Sequence, residues 1–331
     1  MSNSVRTGPT LAELGELAVL ERLRPYCSPG VGDDAAVQTL ASDHQLVTTT
    51  DVLVADVHFS DQTTPPHAIG WRSVAVNLSD LAAMGAEPLG ITVGLALPGN
   101  VPWSWLEAVY QGMTDCLAAF GGEIVGGDLC RSAVATVSIT ALGQVKPDQL
   151  LRRTAAQPGQ SILVTGPHGL SRAGLALLQG QEAASVSAAL RQQWIAAHQY
   201  PQPRFDAIAA LQSLEFGCST AGSAIAGMDS SDGLANAVVQ LCRSSGVGAQ
   251  LEPLAMPPGL VAWVGVDRAQ DWVLYGGEDF ELVLCLPPVT ARALQGHLPG
   301  SAIIGQIRAN PAQIELAGQP LTLDGNFQHF A

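Results

Sequence analysis

The sequence predicts a two-domain α/β protein, and three observations predict it. The chain has 331 residues, more than one hydrophobic core usually serves, so two domains are expected. Short strand-like apolar runs alternate with segments of helical periodicity from residue 11 onward, which favours α/β architecture in both halves. Gly (35) and Pro (21) are plentiful enough to supply the turns that this alternation requires.

Residues 11–24 (LAELGELAVLERLR) carry apolar positions at helical spacing and predict an amphipathic helix. The loop SPGVGDDAAV follows, then a strand over QLVTTTDVLV. Residues 67–84 predict a second helix, closed by Gly85 just past its C-cap. GITVGLALP reads as a strand, 103–120 as a helix, and both GGEIVGGDL and the alternating AVATVSITALGQV as strands. Composition shifts at the polar, Pro-containing KPDQLLRRTAAQPGQ, which places a boundary near residue 147 and gives domains of 1–147 and 148–331. Beyond it the alternation resumes. SILVTG predicts a strand, a helix starts after Gly169, and helical stretches run to about 213. AIAGM is a strand candidate, Gly233 opens a helix, and GAQLE, ELVLCL and AIIGQI complete the strands.

Composition excludes several classes of function. A net charge of −14 would repel a phosphate backbone, so no nucleic-acid partner is expected. The only lysine, Lys146, lies in no Gly-Lys-Ser/Thr context, so neither a Walker A loop nor a protein-kinase strand lysine can exist. Phosphate chemistry here must lean on metal ions, arginine and backbone N–H groups. The six cysteines are scattered without metal-ligand spacing and read as small buried residues of a reducing compartment. No signal-peptide core and no bilayer-length apolar run is present, so a cytoplasmic protein with no membrane partner is expected. Charged residues at 13% are few, which suggests surface buried against another subunit.

The informative residues are acids beside glycines or small polar residues at strand ends: Gly32-Asp33-Asp34, Thr49-Thr50-Asp51, Gly126-Gly127-Asp128 and Asp229-Ser230-Ser231-Asp232-Gly233. A strand delivers each carboxylate to a sheet edge, and glycine lets backbone and ligand approach closely. Mg²⁺ takes a few carboxylates, water and substrate phosphates. Each acid alone could be a turn residue or an N-cap; together they outnumber what capping requires. Asp80 lies inside the apolar helix SVAVNLSDLAAMG, where Ser73, Asn77 and Asp80 share one face. That stripe is either solvated or lines a cleft, and an acid with an amide suits a cleft. His58 follows the Asp51 strand closely enough to contact a substrate, although a lone histidine is often structural. Glu278 and Asp279 sit in YGGEDFELVLC, where a tight turn explains the glycines but not both acids.

In this order, GVGDDAAV, TTTD with VHF, AVNLSDLAAMGAEP, GGD, SSDGL and GGEDFEL closely resemble the thiamine-monophosphate kinase family, from about residue 13 to Phe330. That family lies within a superfamily of ATP-binding synthetases that includes aminoimidazole ribonucleotide and selenophosphate synthetases. The resemblance implies a synthetase-like fold of α+β type, with an N-terminal sheet domain that pairs in a homodimer and a C-terminal α/β domain. It implies several Mg²⁺ ions on Asp34, Thr49, Thr50, Asp51, Asp80, Asp128, Asp229 and Asp232, and ATP contacts from Tyr110, Gly127, Asp128, Arg153 and Ser231. Arg152 competes with Arg153 for its role, and Ser230 stands where an aliphatic residue is more usual. His58, Glu278 and Phe327 would face thiamine monophosphate, the implied acceptor. Asp51, Asp80, Asp128, Asp229 and Asp232 would be the catalytic acids of a direct in-line transfer from ATP, giving thiamine diphosphate and ADP. The alternatives are another synthetase of the superfamily, a metal-dependent phosphatase, or a non-catalytic nucleotide-binding regulator.

Overall fold

The structure is a computed structural model that describes residues 8–29, 31, 35–215, 225–323 and 325. The chain divides into two compact units, Met1–Leu81 with Ala86–Pro147, and Ala82–Gly85 with Asp148–Ala331.

The first unit opens with α1 (Leu11–Leu14) and α2 (Glu16–Leu23) rather than the single helix expected over 11–24. Gly15, at φ 78° and ψ 156°, breaks the run, a backbone state open to glycine and costly for other residues. Next come β1 (Gln45–Val54), α3 (Pro66–Ala83), β2 (Glu87–Leu97), α4 (Trp103–Phe120), β3 (Ile124–Arg131) and β4 (Thr136–Val145). The sheet order is β1-β4-β2-β3. β4 runs antiparallel to β1 and β2, whereas β2 and β3 are parallel. Strand alternation separates two faces. Ile91, Val93, Leu95, Val137, Ile139 and Ala141 are buried on one of them. The other face leaves Leu46 and Val52 about half exposed, at 52% and 47%. α3 and α4 approach closely through paired glycines. A Cβ on Gly70 would lie 1.8 Å from the Val109 carbonyl oxygen, and one on Gly112 would lie 1.9 Å from that of His67.

The second unit carries β5 (Ser161–Val164), α5 (Leu170–Leu178), α6 (Ala188–Gln199), α7 (Phe205–Glu215), β6 (Ala226–Asp229) and α8 (Leu234–Ser245). β7 (Gly248–Leu251), α9 (Leu260–Val264), α10 (Val266–Tyr275), β8 (Leu282–Leu286), α11 (Pro288–His297), β9 (Ala302–Arg308), β10 (Ile314–Leu316) and β11 (Gln319–Pro320) follow. Its seven-stranded sheet has the order β11-β10-β7-β9-β5-β8-β6. The adjacent strands β5 and β8 are buried on both faces, which is why they read as continuous apolar runs. Ile162, Val164, Val283 and Cys285 join one core with α5, α8 and α10, while Leu163, Leu282, Leu284 and Leu286 join another with α7 and α11. Most strand pairs in both units are antiparallel. The alternation of elements therefore builds an α+β arrangement and not a parallel doubly wound sheet.

Candidate functional site

In the first unit β1 and α3 bring together one set of acids. Thr49 and Asp51 are two apart on β1 and share a face, and α3 presents its polar stripe to them. The Thr49 hydroxyl donates to Asp80 Oδ2 at 2.5 Å. Asp51 donates its backbone N–H to Asn77 Oδ1 (3.1 Å), and Asn77 Nδ2 donates to the Ser73 carbonyl (2.9 Å). Among the described residues β1 is an edge strand, so Asn77 satisfies an outward N–H that its neighbour β4 cannot reach. Ser73 and Asn77 are fully buried, which decides against a solvated stripe, while Asp51 and Asp80 remain half-buried. Among the described residues, no group of three or more His, Cys, Asp or Glu converges as a self-sufficient metal cage. Two carboxylates and a hydroxyl are hard oxygen donors, and they fit Mg²⁺, which completes its shell with water and phosphate.

The second set occupies the turn between β6 and α8. Asp229 is buried at the end of β6, and its Oδ1 accepts from the Ser231 hydroxyl (3.1 Å). Asp232 is exposed, and its Oδ2 accepts from Asn236 Nδ2 (3.2 Å) one turn into α8. The segment 276–281 lies against this turn. Glu278 donates its N–H to the Ser231 carbonyl (2.7 Å), and a Cβ on Gly277 would lie 2.9 Å from that oxygen. Glu278 and Phe280 both hold positive φ, 58° and 53°, a strained state for side-chain-bearing residues that clusters at functional sites. The Glu278 carboxylate lies 3.5 Å from Nδ1 of the buried His198.

The remaining expected site residues are scattered. Asp128 lies on β3, the opposite edge of the sheet from β1. Its register row is Gly94, Ser138 and Val52, one residue along from the row of Asp51, Ile139, Val93 and Gly127. Asp128 thus falls on the uncovered face, three strand spacings or about 14 Å across the sheet from β1. Gly127 and Asp128 are exposed. Thr50 also falls on the uncovered face, where its hydroxyl meets that of Thr140 at 2.7 Å. Tyr110 is buried at 5% exposure and packs edge-on against Tyr26, and burial raises its phenol pKa. A ring so enclosed offers no stacking face to a nucleotide. Arg153 is exposed, and its carbonyl accepts from Ser245 at the far end of α8. The 12 residues of α8 put that point about 18 Å along the helix from Asp232. His58 is half-buried and accepts the Val54 N–H at Nδ1 (3.1 Å), so its neutral ring carries the proton on Nε2. Asp34 and Phe327 lie outside the described residues.

Sequence reasoning missed what lies beneath the second set. Glu281 takes hydrogen bonds from the Thr165 hydroxyl (2.5 Å) and from Arg204 Nη1, and Arg204 also grips Asp206 through two bonds of 2.9 Å. Burial works against the Arg204 charge, but Asp206 and Glu281 outweigh it and hold the guanidinium pKa above its ordinary value. Asp279 accepts the N–H groups of Gly169 (2.6 Å) and Ser171 (2.9 Å), and burial pushes its carboxyl up to about 7. The Gly-rich start of α5 is therefore capped by a protein carboxylate. Asp279 stood out in YGGEDFELVLC and Arg204 is Pro-flanked in YPQPRF, but neither pointed to a partner.

Residues 32–145 match the family of AIR synthase related proteins in its N-terminal domain, and residues 157–314 match its C-terminal domain. Fold and acid sets thus define an AIR synthase related protein. The thiamine-monophosphate kinase of Synechococcus elongatus is 50% identical over 97% of this chain and 98% of its own. That of Prochlorococcus marinus is 42% identical over the full length of both chains. The crystal structure of thiamine-monophosphate kinase from Stenotrophomonas maltophilia is similar with TM-score 0.78 and 31% identity, over 92% of this chain and 98% of that one. AaThiL complexed with AMPPCP and TMP gives TM-score 0.76 at 28% identity, over 97% and 99%. The chain belongs to the thiamine-monophosphate kinase family.

Proposed function

We propose that the chain transfers the γ-phosphoryl group of ATP directly to thiamine monophosphate, giving thiamine diphosphate and ADP with Mg²⁺. The near-full-length likeness to thiamine-monophosphate kinases carries the substrate assignment. The acceptor is a phosphate already ionised near neutral pH, so no general base is needed. The barrier is the approach of two anions, and bound Mg²⁺ supplies the charge that offsets it.

The residues of this chain hold and orient. Asp51 and Asp80 offer carboxylate oxygens, with Thr49 fixing the rotamer of Asp80 and Asn77 fixing β1 at Asp51. Asp229 and Asp232 form the second donor set, steadied by Ser231 and Asn236. Asp128, on the other edge of the sheet, serves a separate ion or the nucleotide in this scheme. Glu278 pairs with the cationic thiazolium, and His58 Nε2–H is a donor for phosphate. Phe327 remains a candidate to pack on the thiamine rings. Tyr110 and Arg153 have no nucleotide role in this scheme.

We also infer a cytoplasmic homodimer. The uncovered sheet face, with Leu46 and Val52 among threonines, suits pairing with a second copy, and no helix among the described residues is long and apolar enough to cross a membrane. The deciding assay is ADP release with product identification from ATP, Mg²⁺ and thiamine monophosphate, against thiamine and aminoimidazole-pathway substrates. Thiamine diphosphate formed only from the monophosphate, and lost with EDTA, is the expected result. ADP release without it would move the chain to a sister synthetase.

A further inference from the structure

The turn that carries Asp229 and Asp232 has few restraints of its own. Gly233 N–H donates to the Ser230 carbonyl and closes the turn (2.9 Å), while Ser230 N–H donates to the Glu281 carbonyl (2.8 Å). Of the two residues between the acids, Ser231 spends its hydroxyl on Asp229. Ser230 points inward, 1% exposed, and its Oγ lies 2.9 Å from Nε2 of His168, itself 3% exposed. The two residues are 62 apart in sequence, so the contact ties the turn to the start of α5.

Proton accounting gives the contact a direction. The Ser230 hydroxyl donates its one proton to the Glu281 carbonyl (3.0 Å), which also receives the Ser230 N–H. The His168 Nε2–H is then the donor, and Ser230 Oγ accepts it. This arrangement needs no charge on the imidazole. Burial pushes the His168 pKa down to about 4, which keeps it neutral at working pH. The ring has a firm base: Gly169, next in sequence, and Ser171 both donate N–H groups to the half-buried Asp279 carboxylate.

We propose that His168 and Ser230 are a pair of positioning residues, an uncharged anchor that fixes the Asp229–Asp232 turn in its ligand-binding shape; this rests on assigning those acids to the metal–nucleotide. A charged anchor would be at odds with that task. The Arg204 charge beneath the turn is matched by Glu281 and Asp206; a further unmatched cation would offset the carboxylates that have to attract Mg²⁺, and a further anion would compete with them. A neutral imidazole–hydroxyl pair holds the backbone and leaves the full negative charge to the ligand.

The test measures binding of Mg²⁺ with non-hydrolysable AMPPCP by calorimetry, and hydrogen exchange of the 230–233 amides, in full-length protein. Ser230→Ala and His168→Leu should each weaken binding about three- to tenfold, the span of one lost hydrogen bond. They should also speed exchange in the turn, and Ser230→Thr, which keeps the hydroxyl, should restore both. The double variant His168→Leu/Ser230→Ala removes both members of the contact together and should recover part of the melting temperature without recovering affinity. Variants that melt lower yet keep wild-type affinity and exchange would reduce the pair to a packing contact and overturn the proposal. Asp232→Asn is the control for the underlying assignment. If it binds like wild type, the acids do not serve the nucleotide, and exchange in the Ser230→Ala turn still decides whether the anchor exists.

Discussion

The two acid sets are built by opposite means. In the first unit Thr49, Asp51, Asn77 and Asp80 stand on a regular strand and a regular helix, and their partners lie one strand-to-helix contact away. In the second unit Asp229 and Asp232 stand on a turn, and what holds it comes from far along the chain: His168, Glu278 and Glu281, the last anchored by Thr165 and Arg204. The first design relies on secondary structure for precision and keeps its acids half open. The second buries a layer of polar and charged groups under one exposed aspartate, and so ties function to stability.

Substituting the acids in place tests that contrast most strongly. Asp80→Asn keeps an acceptor for the Thr49 hydroxyl and removes only the charge. It should lower kcat by roughly 10²–10³, or about 3–4 kcal/mol of transition-state stabilisation. A half-buried position should leave the melting temperature within about 3 °C of wild type. Asp229→Asn, fully buried, should lose both activity and stability. A large drop in melting temperature for Asp80→Asn in a thermal scan would erase the distinction between the two sets.

The next expected effect lies wholly in the second unit. Arg204→Leu strands Glu281 and Asp206, and Glu281, 14% exposed, is largely enclosed beside Thr165. Breaking a buried pair by removing one partner costs about 3–5 kcal/mol, to be read from the urea midpoint. Arg204→Leu/Glu281→Leu should regain a good part of it, because the one charge left without its partner, Asp206, is solvent-exposed. If the single variant unfolds at the wild-type midpoint, the layer under the turn does not bear on stability.

The same contrast sets how much could be read in advance. The Ser73-Asn77-Asp80 stripe was visible because helical spacing is written into sequence, and SILV and LVLCL announced buried strands by their continuous apolarity. Periodicity carries no information on pairing direction, so the antiparallel sheets were hidden behind an alternation that suited parallel ones. Gly15 looked like a tolerable residue within a helix, and only its φ shows a break. The helices over 260–275 and 288–297 went unread because proline and glycine fragment the pattern around them. The network of His168, Arg204 and Glu281 joins residues 62 to 116 apart, where no local spacing can point. Tyr110 and Arg153 came from resemblance without a signal of their own in the sequence.

The smallest effect is the sharpest test of the first unit, because Thr49 and Thr50 differ in little but the face they occupy. Thr49→Val removes the hydroxyl that donates to Asp80 and loosens its rotamer, at a cost near one hydrogen bond to a charged group, about 1.5–3 kcal/mol. If that hydrogen bond matters for orientation, kcat/KM should fall roughly tenfold or more. Thr50→Val removes a hydroxyl pairing with Thr140 on the uncovered face and should change kcat/KM by less than about twofold. β-branched valine keeps the strand propensity at both positions, so differences in folding should be slight. Equal losses in the two variants would mean that both threonines reach the ligand. The resemblance would then be right to count Thr50 as a ligand, and the face that β1 turns toward α3 would not define the site.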